Sequence, residues 1–154
     1  MTITNSVLKC GAALWLAVLV TGLMPAAARA DDMKLEAVLV WGTNVPKSPD
    51  PNLKPVGEEI ARKLACLPFK YTNYFEVNRK HFTLSASEVT PVQMSRDCTI
   101  EVKRLDRGRV EVTLIGKGQP VGKITQEIKK GKSLVTGGNA ANATAWFVVI
   151  KQVD

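Results

Sequence analysis

Acidic residues are absent from the first 30 positions of this 154-residue chain. In that stretch Lys9 supplies a positive charge, and Gly11 to Met24 is apolar apart from Thr21. Pro25 then leads into Ala28-Arg29-Ala30, a small-x-small triplet. This is the form of a secretory signal peptide, with cleavage expected after Ala30. The apolar run falls short of the roughly 20 residues that cross a bilayer, so no stable membrane insertion is expected. Cys10 precedes the run instead of following it, which removes the usual lipid-attachment signal. The expected product, Asp31 to Asp154, is a periplasmic or secreted single domain.

Histidine and cysteine are scarce: one His and three Cys in all. A structural zinc site needs about four such ligands, and His81, Cys66 and Cys98 are too few and too scattered. A nucleophile needs a base beside it, yet no G-x-S-x-G elbow accompanies His81. Glu58 and Glu59 are adjacent on a predicted helix, so their side chains diverge by about 100° instead of converging on a scissile bond. Gly116, Gly118 and Gly122 precede a strand, whereas a phosphate loop needs a helix N-terminus. The sequence therefore assigns no catalytic, cofactor-binding or metal residue. A small hydrolase or thiol enzyme would require a cleft uniting His81 with a carboxylate or with a free Cys66.

Basic residues are in excess, 21 against 14 acidic. Loss of Lys9 and Arg29 with the leader brings the 21 down to 19. That mild surplus suits an acidic partner or an anionic envelope polymer and is too diffuse for nucleic acid. Cys66 and Cys98 form an even pair in an oxidising compartment. They suggest one disulfide, the alternative being two buried thiols that pack as small apolar groups.

Most of the remaining pattern has the period of a strand. Lys34 to Trp41 is apolar and β-branched. Thr43 to Pro55 carries Pro46, Pro49, Pro51 and Pro55, which exclude a helix or a central strand, so it reads as an extended surface loop. Val56, Ile60, Leu64 and Leu67 mark one apolar helix face, with Glu58 and Glu59 near the positive end of the dipole. Tyr71 to Leu84 reads as one long strand or as two with a bend near Asn78. Pro91 makes Val89 to Met94 an edge strand. Cys98 to Leu105 and Arg109 to Ile115 form a hairpin around Asp106-Arg107-Gly108. Gly116 to Pro120 reads as a turn, and Val121 to Ile128 and Ser133 to Val135 as strands. Gly137 to Asn142 reads as a loop, and Ala145 to Val153 as a last apolar strand. The expected class is mainly β: an antiparallel β-sandwich or partly open barrel of about eight strands with one α-helix packed on it.

Two groups of residues are candidates for binding. The first is the hairpin cluster Lys103, Arg104, Arg107 and Arg109. The second is aromatic, Trp41 at a strand end and Tyr74, whereas Trp146 and Phe147 read as core. The exposed Pro46–Pro55 loop suggests a third use, presentation to a protease groove as inhibitors do.

Three segments, Trp41-Gly42-Thr43-Asn44, Asn73 to Lys80 and Thr144 to Ile150, resemble a family of small exported bacterial proteins. The resemblance spans most of the exported chain, carries no catalytic motif and implies only export and a single domain. Taken together, the sequence leads us to expect a non-catalytic exported binding or structural module of the cell envelope. Its partner would be a protein or an anionic envelope polymer.

Overall fold

The computed structural model describes residues 32–154; the expected leader, residues 1–30, lies outside them. The elements in chain order are β1 (Met33–Thr43), β2 (Lys54–Pro55), α1 (Glu58–Ala65), β3 (Asn73–Leu84), β4 (Val89–Gln93) and β5 (Cys98–Arg104). They continue with β6 (Arg109–Gly116), β7 (Gln119–Glu127), β8 (Ser133–Ala140) and β9 (Thr144–Gln152). The strands form two sheets, ordered β2-β3-β1-β9-β8 and β4-β5-β6-β7. Every pairing is antiparallel. The chain is thus a meander that passes from one sheet to the other after β3 and returns after β7. The expected mainly-β sandwich with one helix on it is the observed architecture.

Alternation along β1 explains why its sequence is almost continuously apolar. Leu35, Ala37 and Leu39 point into the space between the sheets, where they meet Ile100, Val102, Val110 and Val112. Val38 and Val40 point the other way, beneath Ile60 and Leu64 of α1. In β9, Val148 and Ile150 join the first cluster and Phe147 and Val149 the second. The two central strands are buried on both faces, which suppresses the polar half of the usual alternation. The molecule therefore has three layers: helix, five-stranded sheet and four-stranded sheet.

Helix α1 is shorter than the sequence pattern suggested, because Pro55 pairs with Phe75 in a strand and Gly57 is the N-cap. Val56 and Leu67, outside the helix, still pack against its core cluster. Glu58–Arg62 and Glu59–Lys63 ion pairs, at 3.2 and 2.9 Å, run along its exposed side.

Three local expectations are corrected. The first concerns Gly137-Gly138-Asn139, which is strand, not loop. A Cβ on Gly137 would lie 2.0 Å from the Trp146 carbonyl oxygen and 2.8 Å from Phe147 Cα. Glycine there permits close approach of β9 and does not break the strand. Pro120 lies within β7, opposite Ile115 where the register slips; β7 is an edge strand, and edges tolerate a missing donor. The third correction is the Cys66–Cys98 bridge, which is not formed, since both cysteines are free. Cys66 caps α1 on one side of the five-stranded sheet, while Cys98 packs between the two sheets, so the sheet itself separates them. Burial raises the Cys98 thiol pKa.

Candidate binding surfaces

The sandwich has two chemically different ends. At the lower end β1 begins, β9 finishes and the β5–β6 and β7–β8 turns adjoin, Ile128 N–H donating to the Gly108 carbonyl at 2.7 Å. At the upper end β1 finishes and β3 and β9 begin.

The predicted basic cluster is at the lower end, but its members do different jobs. Arg104 shares the inward register of Val102 and is buried; its Nε donates to the Asp106 carbonyl at 3.1 Å. Arg109 is held by Asp106, Nε to Oδ2 at 2.6 Å. That bond, followed by the backbone N–H groups of Gly108 and Arg109, lowers the Asp106 carboxyl pKa to about 2. Lys103 and Arg107 are exposed. Of the four predicted cations, one is turned into the core and one is neutralised by the turn it belongs to.

Also at the lower end, on the helix side of the sheet, is a charge network that sequence reading missed. The Glu36 side chain is only 7% exposed, with Arg79 Nη1 at 2.7 Å, His81 Nε2 at 2.8 Å and Lys151 Nζ at 3.3 Å. Arg79 also binds Glu76 at 2.7 Å. Lys151 reaches Glu59 of α1 at 4.0 Å, and Lys63 joins Glu59 to the Ser133 hydroxyl at 2.7 Å. Burial alone would raise the Glu36 pKa; hydrogen bonds and charge from Arg79 and then Lys151 outweigh it and hold the carboxyl below its ordinary value. The signal was Glu36 itself: a lone carboxylate inside an apolar central strand must find cations. The register supplies Lys151, directly opposite Glu36 on β9, and Arg79 reaches it from β3, where His81 is the residue directly opposite. A depression of about 220 Å³ beside His81 is lined by Lys34, Leu35, Phe82, Thr83 and Val153. Among the described residues no group of three or more His, Cys, Asp or Glu side chains comes together to hold a metal ion.

The aromatic candidates are at the upper end and on opposite faces of the five-stranded sheet. Tyr74 lies on the helix side, buried against Phe147 with ring centroids 6.0 Å apart. Its hydroxyl has no hydrogen-bond partner, and burial, with a smaller contribution from Tyr71, raises its pKa. Tyr74 therefore lines no groove. Trp41, half-buried, lies on the other face, its ring centroid 5.9 Å from that of buried Phe75 and tilted by 32°. Trp146, expected in the core, is 42% exposed. Cross-strand register sets Pro55, Phe75, Trp41, Trp146 and Gly138 side by side on β2, β3, β1, β9 and β8. Directly opposed residues of antiparallel strands share a face, so these five form one row. The three rings lie outside the core cluster that fills the space between the sheets.

The Pro46–Pro55 segment is largely exposed and folds on itself locally, Asn52 N–H donating to Asp50 Oδ1 at 2.9 Å. No described helix is long and apolar enough to cross a membrane. Compared with protein-family models, curated proteins and solved structures, the chain matches none.

Proposed function

We propose that the protein is a non-catalytic exported module that binds a component of the cell envelope through its upper end. The observation carrying this reading is Trp146, a large aromatic left 42% exposed in line with Trp41 and Phe75. Exposed apolar surface of this kind is costly to leave in water and marks contact sites. Export rests on the leader through Ala30. The basic hairpin is a weaker candidate, because Asp106 neutralises Arg109 and Arg104 is buried.

The test compares capture of fractionated envelope extract by the native protein with capture by two variants, Trp146→Ala and Lys103→Glu/Arg107→Glu. Loss of capture in the first variant alone is expected. Loss only in the charge-reversed variant, together with release by salt, would move the contact to the lower end and to an anionic polymer. N-terminal sequencing of the exported protein should begin at Asp31.

A second reading draws on one specific contact, His81 Nε2 to Glu36 Oε2 at 2.8 Å, since a carboxylate can orient a histidine base. It would make the protein a hydrolase working in the depression beside His81. Glu36 is already engaged by Arg79 and Lys151, and Thr83 supplies the hydroxyl of that lining. Hydrolysis of a chromogenic ester that disappears in His81→Ala would establish this reading in place of the first.

A further inference from the structure

Three of the four sheet edges are closed to further pairing by their own sequence. β2 is only two residues long and contains Pro55, and β3 beyond it carries Arg79, Lys80 and His81. β4 has Pro91, and β7 has Pro120, Lys123 and a register slip. Short length, proline, charge and bulges are the usual protections of an edge. β8, the other edge of the five-stranded sheet, has none of them. Ser133 to Ala140 (SLVTGGNA) includes no charge and no proline and pairs with β9 without a register shift. Leu134 is its one buried residue. On the side away from β9, β8 makes no backbone hydrogen bond to any described residue. Independently of how the upper end is used, we infer that β8 is a pairing edge. Its occupant is β8 of a second copy of this chain, joined antiparallel so that two five-stranded sheets become one.

Two features select an identical strand. The first is the absence of side-chain pockets along β8. A foreign peptide added to a sheet edge gains affinity from main-chain bonds and specificity from pockets for its alternate side chains. The depressions beside His81 and Arg107 include no β8 residue. The second is charge. Lys130 and Lys132 are exposed in the turn before β8, whereas Ala141, Asn142 and Ala143 after it are neutral. Antiparallel pairing sets each lysine turn beside the neutral turn of the other copy; parallel pairing would set lysine beside lysine. A two-fold axis normal to the sheet also requires opposed residues to share a face. With Gly137 on the axis, the seam runs from Leu134 to Ala140. Leu134 then meets Ala140 of the second copy and Thr136 meets its Gly138, a larger side chain against a smaller one in both. No opposed pair carries a charge.

The test uses the protein purified after export of the full chain. Sedimentation velocity from micromolar to submillimolar protein is expected to show a monomer–dimer equilibrium, a weak one because a single-strand seam is narrow. Hydrogen exchange at the two extremes should show added protection at high concentration in β8 and in no other edge strand. Gly138→Lys places a Cβ where nothing lies within 4 Å, so the melting temperature of the dilute protein should not change. Across the seam it sets two lysine Cα atoms about 7–8 Å apart on one face and should weaken dimerisation tenfold or more. Val121→Lys adds the same charge to an exposed position of β7 and should leave dimerisation unchanged. Should Gly138→Lys lose stability, the exchange pattern of the native protein decides alone. A protein that stays monomeric throughout, a dimer indifferent to Gly138→Lys or equally weakened by Val121→Lys, or protection that falls outside β8 overturns the proposal. Protection of β8 that appears only on addition of envelope extract also overturns it and gives the edge to a strand from another protein.

Discussion

Glu36 shows how one residue can tie three elements together. It sits in β1, takes cations from β3 and β9, and through Lys151 and Glu59 reaches the helix. Replacing it by Gln leaves Arg79 and Lys151 facing a neutral amide in a partly desolvated site. The expected cost is about 2–3 kcal/mol, below that of a fully buried pair because both cations are part-exposed. Glu36, Glu59 and Glu76 all have pKa values lowered in the folded protein. A carboxyl with a lowered folded pKa binds protons more readily when unfolded, so its stabilisation is complete above its ordinary range and is lost as pH falls through the folded value. Melting temperature should therefore decline as pH drops below about 4.5, and the decline should be shallower in Glu36→Gln. An equal slope in both proteins would remove Glu36 from the account. Tyr74 offers the opposite experiment. Its buried hydroxyl lacks a partner, so Tyr74→Phe removes a desolvation cost and is expected to raise stability by about 1 kcal/mol in urea titration.

At the scale of the element, the strand most sensitive to a single methyl is β8. Gly137→Ala would drive a Cβ into the Trp146 carbonyl; we expect a loss of about 3 kcal/mol in urea titration, against little change for Gly138→Ala, where space is open. The contrast also shows why β8 was only half legible. Gly-Gly reads as a turn when the partner strand is unknown, and only the register with β9 reveals that one glycine is there for closeness. Alternation made β5, β6 and their turn readable, because Ile100, Val102, Val110 and Val112 face a single core. β1 was readable as a strand for a different reason, its unbroken apolar run. The candidate site was less legible. The pattern of Ala145 to Val149 sets Trp146 on the same face as Val148, but where the second sheet stops covering that face depends on how the sheets stack. Arg104 looked like part of a surface cluster, although its own register with Val102 already pointed inward. Arg104→Glu is accordingly expected to lower the melting temperature by several degrees, while Arg107→Glu at the exposed tip leaves it nearly unchanged.

For the whole molecule, the division of labour runs along the sandwich axis. The lower end gathers the exposed cations of two turns and the Glu36 network. The upper end carries Trp41 and Trp146, with exposed Arg96 and Lys117 in the β4–β5 and β6–β7 turns, and the space between the sheets is filled by Leu35, Leu39, Leu84, Met94, Ile100 and Leu134.

The pairing of β1 with β9 fixes the order in which the molecule can be completed. Leu35 stands opposite Gln152 and Trp41 opposite Trp146, so the first described strand finds one of its two neighbours only in the last. A chain emerging from its N-terminal side exposes β1, apolar on both faces, for as long as everything after it is still arriving. The hairpins of the four-stranded sheet are local and can form meanwhile, but the five-stranded sheet cannot close, and ladders this distant in sequence form slowly. The half-made protein is thus a sticky strand waiting for its mate. Nested chains ending after Ala140 should remain sensitive to protease, with resistance arriving abruptly once Gln152 is included. A gradual rise with length would instead mean that β1 and β3 are stable as a pair before β9 joins them.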